Sequence, residues 1–143
     1  MKARLKLVVL SAIVGSFIYL GLGWLVFDTL IGAYTEANTT HLSGFKKTAD
    51  FSFLFLYLSC FVYALLVSFI QIHIAFHSSQ QAFGFFAILG SLVACMTDFY
   101  WFATSHFYLN NTVILLDIIA AAICVGSLGI MIYFIQKKLS KNL

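Results

Sequence analysis

Hydrophobic and polar positions along the chain fall into four long apolar blocks separated by short polar connections. The first block runs from about Leu7 to Ile31 and is broken only by Asp28 near its end. The second runs from Phe51 to about Phe76 and carries Gln71 and His73 late in its course. The third runs from about Ala82 to Phe107 around Asp98, and the fourth from Val113 to Ile135 with Asp117 near its start. A helix needs about 20 apolar residues to cross the hydrocarbon core of a bilayer. A membrane-spanning strand would instead alternate apolar and polar residues, and these runs are continuously apolar. The pattern predicts an all-α membrane protein, a single domain over 1–143 with helices at about 7–31, 51–76, 82–107 and 113–135. The short connections make it an antiparallel four-helix bundle.

Composition strengthens this reading. Hydrophobic residues make up 62% of the chain and charged ones 9%, with no proline. A soluble domain carries about 25% charged residues, because its surface must stay hydrated. The net charge of +3 is small and the basic residues sit near the chain ends and in one loop, which excludes a nucleic-acid binder. The expected partners are the lipid bilayer and either a second copy of the chain, as a homodimer, or another membrane protein. No nucleic acid and no cofactor is expected.

Charge also orients the chain. Lys2, Arg4, Lys6, Lys137, Lys138 and Lys141 flank the termini, whereas only Lys46 and Lys47 lie on the opposite side. Lysine and arginine favour the cytoplasmic side, so both termini are expected in the cytoplasm, with the protein in a bacterial inner membrane. A cleaved leader has an apolar segment of about 7–15 residues, and the longer first block is expected to be a retained helix. Asn38-Thr39-Thr40 and Asn110-Asn111-Thr112 match the glycosylation pattern on the outer side, a pattern common by chance.

The chemical anomaly is a pair of acids in the spans. Counting helical rise places Asp98 about 7 Å, and Asp117 about 10 Å, to the outer side of their helix midpoints. The two carboxyls are therefore expected at similar depth on neighbouring helices. Gly84, Ala87, Ser91, Ala94, Asp98 and Ser105 recur mostly at three- or four-residue steps on the third helix. Asp117, Ala121 and Cys124 share a face of the fourth, with Ala120 beside them. Small residues at such spacing let helices approach closely in lipid, so both acids are expected to face inward. No lysine or arginine lies well inside a span, and an ionised aspartate at helix centre costs about 2.5–3.5 kcal/mol. Three states remain: a protonated, hydrogen-bonded carboxyl, a bound cation, or a water-filled pocket. Asp28, Trp24, Tyr100 and Trp101 also fall in the outer half, with Tyr34, Tyr57 and Tyr108. They read either as an interfacial aromatic belt or as the wall of an outward-facing acidic-aromatic pocket around Asp98 and Asp117.

Other candidates are thinner. His73 and His77 are four residues apart, which on a continuous helix puts two imidazoles on one face, but no cysteine or carboxylate lies at their depth. No metal is expected. Cys60, Cys95 and Cys124 sit mid-helix without a C-x-x-C pair and read as small core residues. No hydrolase, zinc-protease or phosphate-loop motif is present, so nothing marks an enzyme and no catalytic residue is named.

The segments Gly90-Ser91-Leu92-Val93-Ala94 and Thr97-Asp98-Phe99-Tyr100-Trp101-Phe102-Ala103-Thr104, followed by Leu115-Leu116-Asp117-Ile118, carry a resemblance. This second half resembles a group of small four-span bacterial membrane proteins of unknown function. In that group one aspartate lies in the third helix and a second opens the fourth. The chain departs from the pattern at Tyr100-Trp101, where the family has Thr-Asn, and at Ile118-Ile119, where Trp-Gly is common. The resemblance implies four antiparallel helices and a role for both aspartates, and it implies no activity.

Three functions are compatible with these features. The first is a small transport or ligand-binding membrane protein using Asp98 and Asp117 for a proton, a cation or a small cationic ligand. The second is a non-catalytic accessory subunit or toxin-immunity protein. The third is a membrane enzyme acting on a lipid or quinone.

Overall fold

The computed structural model describes residues 2–40 and 52–140. Its elements are α1 (Lys2–Gly23), which runs on through a π-helical stretch (Trp24–Leu30), then α2 (Gly32–Ala37), α3 (Phe53–His73), α4 (Ser79–Thr104) and α5 (Asn111–Leu139). Four helical runs are long and apolar enough to cross a membrane: Arg4–Leu30, Phe53–His73, Ser79–Thr104 and Asn111–Leu139. The chain is a multi-pass, all-helical membrane protein. Lys46, Lys47 and Lys141, which entered the orientation argument, and Phe51, which opens the second predicted span, lie outside the described residues.

Helix ends differ from the hydropathy pattern for local reasons. α4 starts earlier than predicted because the Ser78 hydroxyl accepts from the Gln81 amide at 3.3 Å. α5 starts earlier because Asn110 Oδ1 accepts from the Thr112 amide at 2.9 Å. Such caps satisfy first-turn N–H groups that the helix itself leaves open. They admit polar residues that a hydropathy window rejects. α5 also runs past Ile135 to Leu139, with Lys137 and Lys138 in its last turn, where cations meet the negative end of the helix dipole. α3 stops at His73, and Ile74 turns extended. The predicted second helix to Phe76, and the shared helical face of His73 and His77, therefore do not exist. α2 occupies part of a segment that reads as a loop from sequence.

α5 is the central helix. It packs most extensively on α4 and also on α1 and α3, while α1 and α3 form the second main pair. The α4–α5 seam depends on glycine. A Cβ on Gly90 would stand 2.7 Å from Val125 Cβ and 2.8 Å from the Ala121 carbonyl oxygen. One on Gly126 would meet the Phe83 ring at 2.7 Å, and the Phe86 side chain fills the equivalent space at Gly129. The buried face of α4 is Ala82, Phe86, Gly90, Ala94 and Asp98, a strict four-residue step. This corrects the predicted stripe: Asp98 and Ala94 face inward as expected, but Gly84, Ala87 and Ser91 are only half-buried. The packing ridge contains a phenylalanine that a search for small residues passes over.

Ala12, Ala64, Val67, Phe86, Val125, Leu128 and Ile132 form the main core, each 1% exposed or less. Phe55, Val62, Leu92, Met96, Phe99 and Leu115 point outward, as the lipid-facing side of a membrane bundle does. Ser11 and Gln136 touch, at 3.2 Å, so the start of α1 and the end of α5 lie at one end of the bundle, the terminal end. Residues 31–40 and 105–110 lie at the opposite, loop end.

Candidate functional site

The site at the loop end is assembled by two connections pinned to each other. Thr39 and Tyr108 form an isolated antiparallel bridge. The Thr40 amide donates to the Phe107 carbonyl at 2.8 Å, and the Leu109 amide to the Asn38 carbonyl at 3.0 Å. The Thr40 hydroxyl adds bonds to the carbonyls of His106 and Phe107, and Asn110 Nδ2 donates to the Tyr34 hydroxyl at 3.4 Å. This clasp fixes Tyr108 over the end of the α4–α5 hairpin.

From there the Tyr108 hydroxyl donates to Asp98 Oδ1 at 2.6 Å, a length typical of a hydroxyl bound to a carboxylate. Asp98 is 3% exposed. The half-buried Asp117, on the facing helix, brings its carboxyl within hydrogen-bonding reach of the Asp98 carboxyl. The second Asp98 oxygen, Oδ2, is buried and has no N–H or O–H donor among the described residues. A carboxyl acts as donor only when protonated, so a proton on Asp117 would supply what Oδ2 lacks. Among the described residues, Asp98 and Asp117 form no ion pair with a lysine or arginine. Burial, then the bond to Asp98, holds the Tyr108 phenol above the usual tyrosine range, so it remains a donor at neutral and mildly alkaline pH.

Similar depth on neighbouring helices left open whether the two aspartates touch; here their carboxyls lie close enough to interact. Of the two sequence readings of Tyr108, interfacial belt or pocket-wall residue beside the acids, the hydrogen bond to Asp98 agrees with the second. It depends on the clasp to residues 38–40, a long-range pairing that no local pattern announces. Tyr19 lies within electrostatic range of Asp117 and stacks on Tyr63 with ring centroids 5.4 Å apart.

The other proposed site residues are not gathered around the acids. Trp24 Nε1 donates to Asp28 Oδ2 at 2.8 Å, making a self-contained pair one helical step apart on the exposed surface. Tyr100 is 63% exposed and packs edge-on against Trp101, which is half-buried and in turn meets Phe107. These residues fit a belt better than a pocket wall. At the other end, the His73 ring bonds the Phe69 carbonyl at 2.8 Å, and the His77 amide donates to Gln81 Oε1. Among the described residues no three His, Cys, Asp or Glu side chains converge as a metal cage requires. Cys60 and Cys124 are buried and Cys95 partly so, all as free thiols.

A second buried polar cluster lies at the terminal end and was not read from sequence. Gln136 Nε2 donates to the Ser11 hydroxyl at 3.2 Å and to the Ser68 carbonyl at 3.0 Å. The Ser11 hydroxyl also bonds the Ser68 hydroxyl at 3.2 Å. The signal available was an amide near the end of each of two apolar spans, Gln71 and Gln136.

No protein-family model, curated protein or solved structure matches the chain.

Proposed function

We propose that this protein is a small membrane protein that reversibly binds a proton, or a small cation in its place, on the Asp98–Asp117 pair. The observation that carries the reading is Asp98: buried, held by Tyr108 on one oxygen, without a donor on the other, and in reach of a second acid. Two carboxylates in contact repel when both are ionised, and a shared proton or an intervening cation removes that repulsion. Tyr108 has the position of a gatekeeper. Its hydroxyl is part of the site, and its backbone is part of the clasp that covers it.

The charge bias at the termini supports a cytoplasmic position for both chain ends, in a bacterial inner membrane, with the loop end facing outward. The ion would then reach the pair from outside. The resemblance to small four-span bacterial proteins with an aspartate in the third and fourth helices fits the same assignment. Transport is the extension of this reading. It requires the apolar core between the pair and the terminal end to open, since that core is closed in the described state.

The test is thermal stability of the purified protein in detergent from about pH 4 to about pH 9, with and without lithium, sodium, potassium and calcium. Wild type is compared with the Asp98→Asn/Asp117→Asn double variant. A midpoint that moves with pH or with one cation in wild type, and stays flat in the variant, is the expected result. Identical flat profiles would remove ion binding. Attention would then shift to the accessory-subunit reading, which the glycine-seamed bundle and the lack of a catalytic motif favour.

A further inference from the structure

The two acids of the pair stand in unequal surroundings. Asp98 is 3% exposed, and its Oδ1 accepts from the Tyr108 hydroxyl at 2.6 Å. Its Oδ2 is buried with no N–H or O–H donor among the described residues. A buried acceptor is ordinarily paired, and leaving it bare is costly. Asp117 is half-buried, the less enclosed of the two, and its carboxyl is in reach of Asp98.

The groups around the pair bring no positive charge. In range of Asp117 are Asp98 on α4, Tyr108 on the connecting loop, Tyr19 on α1, and Cys124 about two turns along α5 itself. Each of these is neutral or negative. A single added proton removes the repulsion between two carboxylates, and it needs only the two oxygens it joins. A metal cation needs a shell of oxygens in place of its hydration water, and calcium takes about 6–8 of them. Two carboxyls and one phenol fall short of that shell. Among the described residues no third His, Cys, Asp or Glu side chain completes it. The nearby α4 and α5 backbone belongs to continuous helices, whose carbonyls are already bonded along the helix.

One proton can sit in two places, on Asp98 or on Asp117, and either would pair Oδ2. The Tyr108 bond selects between them. Its length is that of a hydroxyl on a carboxylate, and a donor to the charged form of an acid favours that form.

We propose that the pair is a proton site closed to metal cations, in which Asp117 carries the exchangeable proton and Asp98 stays the carboxylate that accepts its hydrogen bond. The proposal rests on the reading of the pair as a reversible ion site, and it names the ion and the carrier. On the acid side, a proton from water adds to an Asp117 carboxylate oxygen, and the pair passes from two negative charges to one. The new O–H donates to Asp98 Oδ2, so Asp98 has a donor on each oxygen. On the alkaline side the proton returns to water and Oδ2 is bare again.

The experiment is carboxyl-carbon NMR of the full-length protein in detergent micelles, with isotope-labelled aspartate, from about pH 4 to about pH 9. Ionic strength is held constant while choline chloride is exchanged for lithium, sodium, potassium or calcium chloride. Asp98→Asn and Asp117→Asn assign the two resonances. The Asp117 carbon is expected to pass from acid to carboxylate, with Asp98 at its carboxylate position throughout and a midpoint that no cation moves. Asp117→Asn keeps an amide donor against Asp98 and is expected to abolish the titration. A midpoint that falls by about one pH unit per tenfold rise in one cation would show exchange for that metal. That result overturns the proposal and leaves the ion site standing. An Asp98 carbon that titrates in place of Asp117, or equally with it, overturns the assignment of the carrier. If neither carbon titrates and no cation shifts either one, the ion-site reading falls together with the proposal. The cation series needs only wild type, so a variant that does not fold leaves it decisive.

Discussion

At the loop end, Asp98 is 3% exposed and takes its hydrogen bond from Tyr108, with Asp117 in reach. At the terminal end, Gln136 is 8% exposed and donates to Ser11 and to the Ser68 backbone. Both clusters bury polar atoms in a membrane bundle, but only the first can change its charge. Amides and hydroxyls keep the same protonation across the accessible pH range, so the Gln136 cluster holds helices together without responding to conditions. The carboxyl pair answers to proton and ion concentration. The difference separates structural glue from a responsive site more reliably than burial does.

The two clusters are also separated. Asp117 and Gln136 stand about 28 Å apart along α5, and Val125, Leu128 and Ile132 fill the helix between them without exposure. At that separation, perturbing one end is expected to leave the other unchanged.

The largest expected effect strikes the support that both clusters share. Gly90→Leu would push α4 off α5 against Val125 and the Ala121 backbone, at a cost of about 3 kcal/mol. Loss of folded material in size-exclusion profiles is the readout, and a normally folded variant would contradict the tight seam.

Next is the contrast itself. Asp98→Ala strips Tyr108 of its acceptor and should lower stability by about 1–3 kcal/mol. It should also abolish the pH dependence seen in wild type. Gln136→Leu should cost about 1 kcal/mol and leave the pH profile unchanged. Thermal melts at several pH values test both; a pH-dependent profile lost in Gln136→Leu would collapse the distinction between the two ends.

A smaller effect isolates Tyr108. Its phenol is raised above the unfolded tyrosine value of about 10. The stability it contributes is therefore present below about pH 10 and lost as pH rises above that value. Wild type should lose stability on the alkaline side more steeply than Tyr108→Phe, and alkaline melts that superimpose would contradict the buried hydrogen bond. The smallest effect is expected at the exposed Trp24–Asp28 pair. Asp28→Asn should change stability by no more than about 0.5 kcal/mol and leave the pH profile intact. A loss of pH response there would bring Asp28 into the site.

Much of this arrangement was legible in the residues. Continuous apolar runs mark all four spans, since lipid demands them and little else produces them. Constant helical rise puts Asp98 and Asp117 at similar depth on adjacent helices, which left their contact open. Three features were not legible. The inward face of α4 includes Phe86, which packs over Gly129, so residue size alone misplaces the stripe. Tyr108 is aimed by a bridge to Thr39, a contact far apart in sequence. His73 and His77 part company where α3 ends, at a helix terminus set by local backbone rather than by hydropathy.

The most direct measurement is infrared difference spectroscopy of the carboxyl stretch in reconstituted membranes during a pH titration. It compares wild type with the Asp98→Asn/Asp117→Asn double variant. Wild type should show a protonated carboxyl band at neutral pH that titrates or shifts and is missing from the double variant. Absence of such a band in wild type from about pH 4 to about pH 9, with no cation altering the carboxylate stretch, would contradict a shared proton or ion on the Asp98–Asp117 pair.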